Sequence, residues 1–166
     1  MTKPTQLIAY TSYDEIRSAL GVSKTELPDS VLSQDMHFLQ ADIALEDLNA
    51  NLADKFSEVF ALPSKSTAQQ RFLDLTKLFV TYTVSKELLT SLPLFSVKQL
   101  TDGKAEFVRQ TDVYADVRDG VLAMLETLKY RLTASYAGLV PGASVPTRTL
   151  PNFMSVSTLG TDPVTG

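Results

Sequence analysis

Apolar residues recur at helical spacing in four stretches of this chain. The cleanest stripe lies in Asp112 to Tyr136, where Val117, Val121, Leu125, Leu128, Leu132 and Tyr136 follow one another at steps of three or four. That spacing keeps them on one face of a 3.6-residue helix. Arg118, Asp119, Glu126, Lys129 and Arg131 fall mostly off it. At 1.5 Å per residue such a helix reaches roughly 35 to 40 Å, so the other helices are expected to pack along it and make it the organising element. Gly120 interrupts the pattern at a cost of about 1 kcal/mol relative to Ala, which predicts a close helix approach or a bend.

The remaining patterns come earlier in the chain. Ser12 and Glu15 have the spacing of a capping box that opens a short helix to Leu20, and Gly21 supplies the left-handed stop with Val22 folding back. Ser23 and Glu26 repeat the cap-like spacing before Leu27-Pro28, which predicts a corner between two helices. A second helix is expected from about Asp29 to Ala61, bent near Asn49 and Asn51. Its buried side is read as Leu32, Met36, Leu39, Ile43, Leu52, Phe56 and Val59, with Asp35, Asp42, Glu46, Asp54 and Glu58 opposite. Pro63 and Ser64 end it. Thr67 and Gln70 then read as another capping box for a third helix to about Leu92, with Phe72, Leu75, Phe79, Tyr82 and Leu89 as its core stripe. The short connection predicts antiparallel packing of the second and third helices.

Two segments break the helical period. Phe95 to Leu100 and Lys104 to Arg109 flank Asp102-Gly103, the dipeptide best suited to a two-residue type I′ turn, so a β-hairpin is expected, with an irregular loop as the alternative. A lone hairpin is marginal in water and must lie on the bundle, on a partner or beside copies of itself. From Leu139 to Gly166 the chain is rich in Pro, Gly, Ser and Thr, with only Arg148 and Asp162 charged. Leu150, Phe153 and Met154 are among its many apolar residues, and Pro141, Pro146 and Pro151 favour extension. Such a segment can dock on another subunit or protein, strap its own bundle, or remain a disordered tail. The fold expected is therefore all-α: a helical bundle over residues 1–138 with one small β-hairpin near 95–109, then an extended C-terminal arm over 139–166.

Composition narrows the function classes. A chain of 166 residues is large enough for one unstapled core, and the absence of Cys removes disulfides, thiolate metal sites and Cys nucleophiles. No basic and apolar leader pattern opens the sequence and no apolar run approaches membrane length, so a soluble protein without a membrane partner is expected. A net charge of −4 with dispersed Lys and Arg argues against sequence-specific nucleic-acid binding.

The search for chemistry yields no catalytic, cofactor-binding or metal-binding set. His37 is the sole histidine and lacks Glu-x-x-His or His-x-x-x-His spacing, so a structural or surface role is expected. Asp42 and Glu46 stand one helical turn apart, a spacing compatible with holding a cation or with acid/base work, though a solvated helix face is the plainer explanation. Gly138, Pro141 and Gly142 lack the Lys and Ser/Thr of a phosphate loop. The six tyrosines do not alternate with basic residues as a base-stacking platform would.

The run from Tyr10 to Leu32, with Leu20-Gly21-Val22-Ser23 and Glu26-Leu27-Pro28-Asp29 as its most specific part, resembles the opening of head-to-tail connector (adaptor, head completion) proteins of tailed bacteriophages. The order of the later segments, a helical pair, a stretch with an Asp-Gly turn and a long helix, extends the resemblance to about Tyr136. The resemblance implies a structural virion protein and not an enzyme, with no cofactor. About a dozen copies would form a ring, a dodecamer, between the portal protein and the tail or nozzle proteins, with genome DNA passing through the lumen. The implied location is the virion neck, after assembly from the host cytoplasm. Another neck component, such as a tail terminator or stopper, and a small cytoplasmic helical regulator are the competing readings. Leu150, Phe153 and Met154 are the expected docking residues for the portal or a neighbour, and Asp102 and Gly103 the expected hairpin turn.

Overall fold

In the computed structural model, which describes residues 3–95, 115–140 and 142, orphan backbone donors at the start of the first helix are met by the expected pair. The Ser12 hydroxyl accepts from the Glu15 amide at 3.3 Å, and the Glu15 carboxylate accepts from the Ser12 amide at 3.2 Å. Helix α1, Tyr13–Leu20, stops at Gly21, whose φ of 68° places it in the left-handed region. The Gly21 amide then donates to the Ser18 carbonyl and the Val22 amide to the Arg17 carbonyl, which satisfies two carbonyls at the helix end. A short 3-10 turn, Leu7–Ala9, precedes α1. Ser23 and Glu26 form the corner before Pro28, with the Glu26 carboxylate accepting from both the amide and the hydroxyl of Ser23.

The single helix expected from Asp29 to Ala61 is instead three: α2, Asp29–Leu32; α3, Asp35–Leu48; and α4, Leu52–Phe60. The second break falls where the bend was expected. Asn49 is extended there, and its side chain accepts from the Asn51 amide at 2.9 Å, a local bond that competes with helix continuation. The first break, at Ser33 and Gln34, resets the rotational phase of the next helix. As a result α3 buries His37, Ala41 and Leu45, while Met36, Leu39 and Ile43 are 53%, 54% and 58% exposed. These three were expected in the core and are not. Leu32, Leu52, Phe56 and Val59 are buried as expected.

Helix α5, Thr67–Phe95, begins one residue earlier than its predicted box implied. The reciprocal cap is therefore Ser66 with Gln69, not Thr67 with Gln70. This helix, rather than the later one, is the organising element: α1, α3, α4 and the last helix, α6 (Ala115–Leu139), all pack on it. Besides Phe72, Leu75, Phe79 and Leu89 it buries Leu73, Val80, Val84 and Leu88, whereas Tyr82 is half-buried. It also buries Thr76, Thr81 and Ser85, whose hydroxyls donate to the carbonyls of Phe72, Lys77 and Thr81 one turn back. That bonding satisfies these three hydroxyls and lets a polar-looking face enter the core, whereas the hydroxyl of Thr83, buried on the same helix, has no partner among the described residues.

Helix α6 lays Val121, Leu125, Leu128, Leu132 and Tyr136 in the core, with Val117 packed at its edge. The Phe72 ring near the start of α5 lies 6.3 Å from the Tyr136 ring near the end of α6, so the two run antiparallel. Gly120 is exposed, and a Cβ added there would meet nothing within 4 Å, so it marks no close helix approach. Helices make up 75% of the described residues, with no strand among them. Helix α5 runs on past its expected end near Leu92 to include Phe95, which was expected to open the hairpin. The rest of the expected hairpin with its Asp102-Gly103 turn, and the arm with Leu150, Phe153 and Met154, lie outside the described residues. Of the arm, Leu139 is the last residue of α6, and Leu139 and Val140 pack against the core.

Candidate functional site

Burying an arginine requires partners for its fixed fork of donors. Arg17 on α1 is 5% exposed. Its Nε donates to the Leu27 carbonyl at 2.8 Å, Nη1 to the Asp14 carboxylate at 2.8 Å, and Nη2 to the Asp29 carboxylate. Lys24 adds a second cation to Asp29 at 2.7 Å. One guanidinium thus joins α1, the corner and the first residue of α2. Elsewhere in the run, the Thr11 and Thr81 hydroxyls meet at 2.6 Å in a buried bond, and Lys77 reaches Glu15 at 2.6 Å. The Tyr10–Leu32 run is therefore a single unit tied to α5. Its helix periodicity was legible; Arg17 was not, because its partners come from separate turns.

Asp42 and Glu46, one turn apart on α3, do hold a cation: the Lys3 ammonium, at 2.8 and 2.6 Å. Hydrogen bonding to Asp42, then to Glu46, raises the Lys3 pKa. Tyr10 is buried, its ring 4.8 Å from Phe56 and 6.4 Å from Phe38. Burial, reinforced by the Asp42 charge, pushes its phenol up. His37 is also buried, and neither ring nitrogen has a partner among the described residues. No group of three or more potential metal ligands occurs among them.

These pKa shifts predict the pH profile of stability. Hydrogen bonds from Ser23 hold Glu26 below its ordinary 4.5, and Lys24 followed by Arg17 hold Asp29 below 3.8. At Glu15 burial acts upward, but Lys77, Ser12 and Thr11 together outweigh it and the pKa falls below 4.5. With folded-state values lowered, the stabilisation is complete above the ordinary carboxylate range and is lost as pH falls through it. Lys3 and Tyr10 are raised from 10.5 and 10.0, so their contribution is present below about 10 and is lost above. The urea midpoint should therefore be flat between about pH 5 and 9.5 and fall on both sides, with Glu15→Gln making the acid limb shallower. An acid limb unchanged in that variant would remove Glu15 from the account.

The surface shows features of another kind. Met36, Leu39 and Ile43 form an apolar ridge along the outer face of α3. Ile8 and Phe60, 59% and 61% exposed, line a second apolar patch with Pro4 and Ala9. An open groove runs between the start of α5 and the end of α6, lined by Ala68, Arg71, Tyr130, Arg131, Ala134 and Gly138 among others. Sequence periodicity did not reveal these surfaces, since it assigned the α3 ridge to the core.

Fold and surfaces together define a helical bundle with exposed apolar and charged faces suited to protein contacts. No described helix is long and apolar enough to cross a membrane. No protein-family model, curated protein or solved structure matches the chain.

Proposed function

We propose that this chain is a structural virion protein, a head-to-tail connector that forms a ring between the portal and the tail of a tailed phage. The observation that carries the reading is the run from Tyr10 to Leu32, which resembles the opening of such proteins and folds as one unit clamped by Arg17. The exposed faces of α3, α5 and α6 support it, because a ring subunit needs separate surfaces for its neighbours. The acidic balance supports it too: a collar through which DNA slides is served by weak phosphate binding. In this reading a hairpin within residues 96–109 lies beside its copies, and Leu150, Phe153 and Met154 of the arm dock on the portal or a neighbouring subunit.

Acidic subunits repel one another until a template raises their local concentration. Light scattering should accordingly find mostly monomer for the purified protein, and a defined ring-sized complex once a portal ring is added. A protein that binds neither itself nor the portal is not a connector.

A further inference from the structure

Helix α3 has two apolar faces. Phe38, Ala41, Leu45 and Leu48 pack into the core, whereas Met36, Leu39 and Ile43 are exposed. With 3.6 residues per turn the two sets point to roughly opposite sides, so the bundle itself has no use for the second. Asp35 and Asp47 flank the exposed ridge, both exposed and without an ion-pair partner among the described residues. Glu46 adds to this acidic border, sharing the one Lys3 ammonium with Asp42. The groove between α5 and α6 has the opposite character. Arg71 and Arg131 border it, both exposed and likewise without an ion-pair partner among the described residues.

We propose that the α3 ridge of one copy docks in the α5/α6 groove of the next. The ridge supplies an apolar centre and the groove receives it, while Asp35 and Asp47 of one copy meet Arg71 and Arg131 of the other. Charge selects this occupant over two rivals. Pairing two α3 ridges would bring acidic borders together. The chain's own segment from Leu139 to Gly166 carries one acidic side chain, Asp162, against one basic, Arg148, and so complements two guanidinium groups less well than Asp35 and Asp47 do. Ridge and groove share no residue, so the contact is heterologous: each copy keeps a free ridge and a free groove, and the series grows until it closes. Only the closure into a ring rests on the connector reading. The contact between copies needs no portal to form, but it is weak enough that the purified protein stays mostly monomeric until a template or a covalent trap holds it.

The absence of native Cys makes a trap for this contact simple to build in the full chain. A Leu39→Cys/Ala134→Cys double variant, mildly oxidised, should give a covalent ladder of dimers, trimers and larger species. Each single variant should stay largely monomeric, and a mixture of the two singles should stop at the dimer. Raising salt from about 50 to 500 mM should slow cross-linking about tenfold or more, since exposed charge pairs are screened. In the double-Cys background Arg71→Glu/Arg131→Glu should abolish the ladder, and adding Asp35→Lys/Asp47→Lys should restore it. Circular dichroism confirms that each variant is folded. Three results overturn the proposal: a folded double variant without a ladder, single variants that cross-link as fast as the double, or a ladder indifferent to charge reversal. A ladder that appears only after residues 139–166 are removed assigns the groove to that segment and overturns it as well. A ladder without portal binding keeps this contact and removes the connector reading; portal binding by a folded double variant that gives no ladder does the reverse.

Discussion

Phe72→Ala should lower the free energy of unfolding by about 3 to 5 kcal/mol, and Leu125→Ala and Leu128→Ala by about 2 to 5 kcal/mol each. Phe72 is fully buried in α5 with its ring against Tyr136 of α6, and both leucines lie in the α6 stripe facing the same helix. Removing any of them leaves a hole that helices anchored elsewhere cannot close. Leu39→Ala and Ile43→Ala are the internal controls. Both residues were expected in the core from their spacing, yet they stand more than half exposed, so each should change stability by less than about 0.5 kcal/mol. Urea unfolding of the five variants decides the orientation of α3. Losses of several kcal/mol at Leu39 and Ile43 would show the helix rotated with that face inward.

The contrast between α3 and α6 explains how much of the fold was legible. Among the described residues helix α6 packs chiefly on α5 along one face, so its buried residues form a single stripe and the sequence pattern reads directly as burial. Helix α3 carries two apolar stripes, and periodicity alone cannot rank them. Extending one phase from Leu32 to Val59 favoured the wrong one, because Ser33 and Gln34 interrupt the helix and the register restarts at Asp35. Helix α5 was underestimated for a different reason. Thr76, Thr81 and Ser85 look like positions for solvent, but their hydroxyls bond within the helix and permit burial.

The interaction surfaces follow the same division. Local chemistry was readable: Ser12 with Glu15, Gly21 at the helix end, and the break at Asn49 all depend on residues within a few positions. Long-range pairing was not. The spacing of Asp42 and Glu46 marks two carboxylates on one turn, and nothing in it identifies Lys3 as the cation between them. Arg17 similarly owes its buried place to Leu27 and Asp29, which reach it only after the corner at Ser23 to Pro28 has formed. The groove at Arg71 and Arg131 exists only once α5 and α6 lie antiparallel.

A chain ending at Gly138 should keep its helical content and unfold cooperatively, yet lose portal binding. The segment removed is about 28 residues long and, extended at roughly 3.3 Å per residue, spans on the order of 90 Å, enough to cross a neighbouring subunit. Reach permits docking; energetics favours it. Prolines at 141, 146 and 151 reduce the entropy lost when the segment becomes ordered. Leu150, Phe153 and Met154 can each contribute about 1.5 to 3 kcal/mol when buried on a partner. Even about 3 kcal/mol in total would weaken binding by more than about 100-fold when the arm is removed. Leu139 and Val140 pack against the bundle, so ending at Gly138 should itself cost about 1 to 2 kcal/mol of stability. A second chain ending at Gly142 retains both and separates that cost from the loss of docking. Both truncations should fail to bind a portal ring, while only the shorter one is measurably less stable. Unfolding of both would make the segment an intramolecular strap, and normal portal binding by the Gly142 chain would make the arm dispensable.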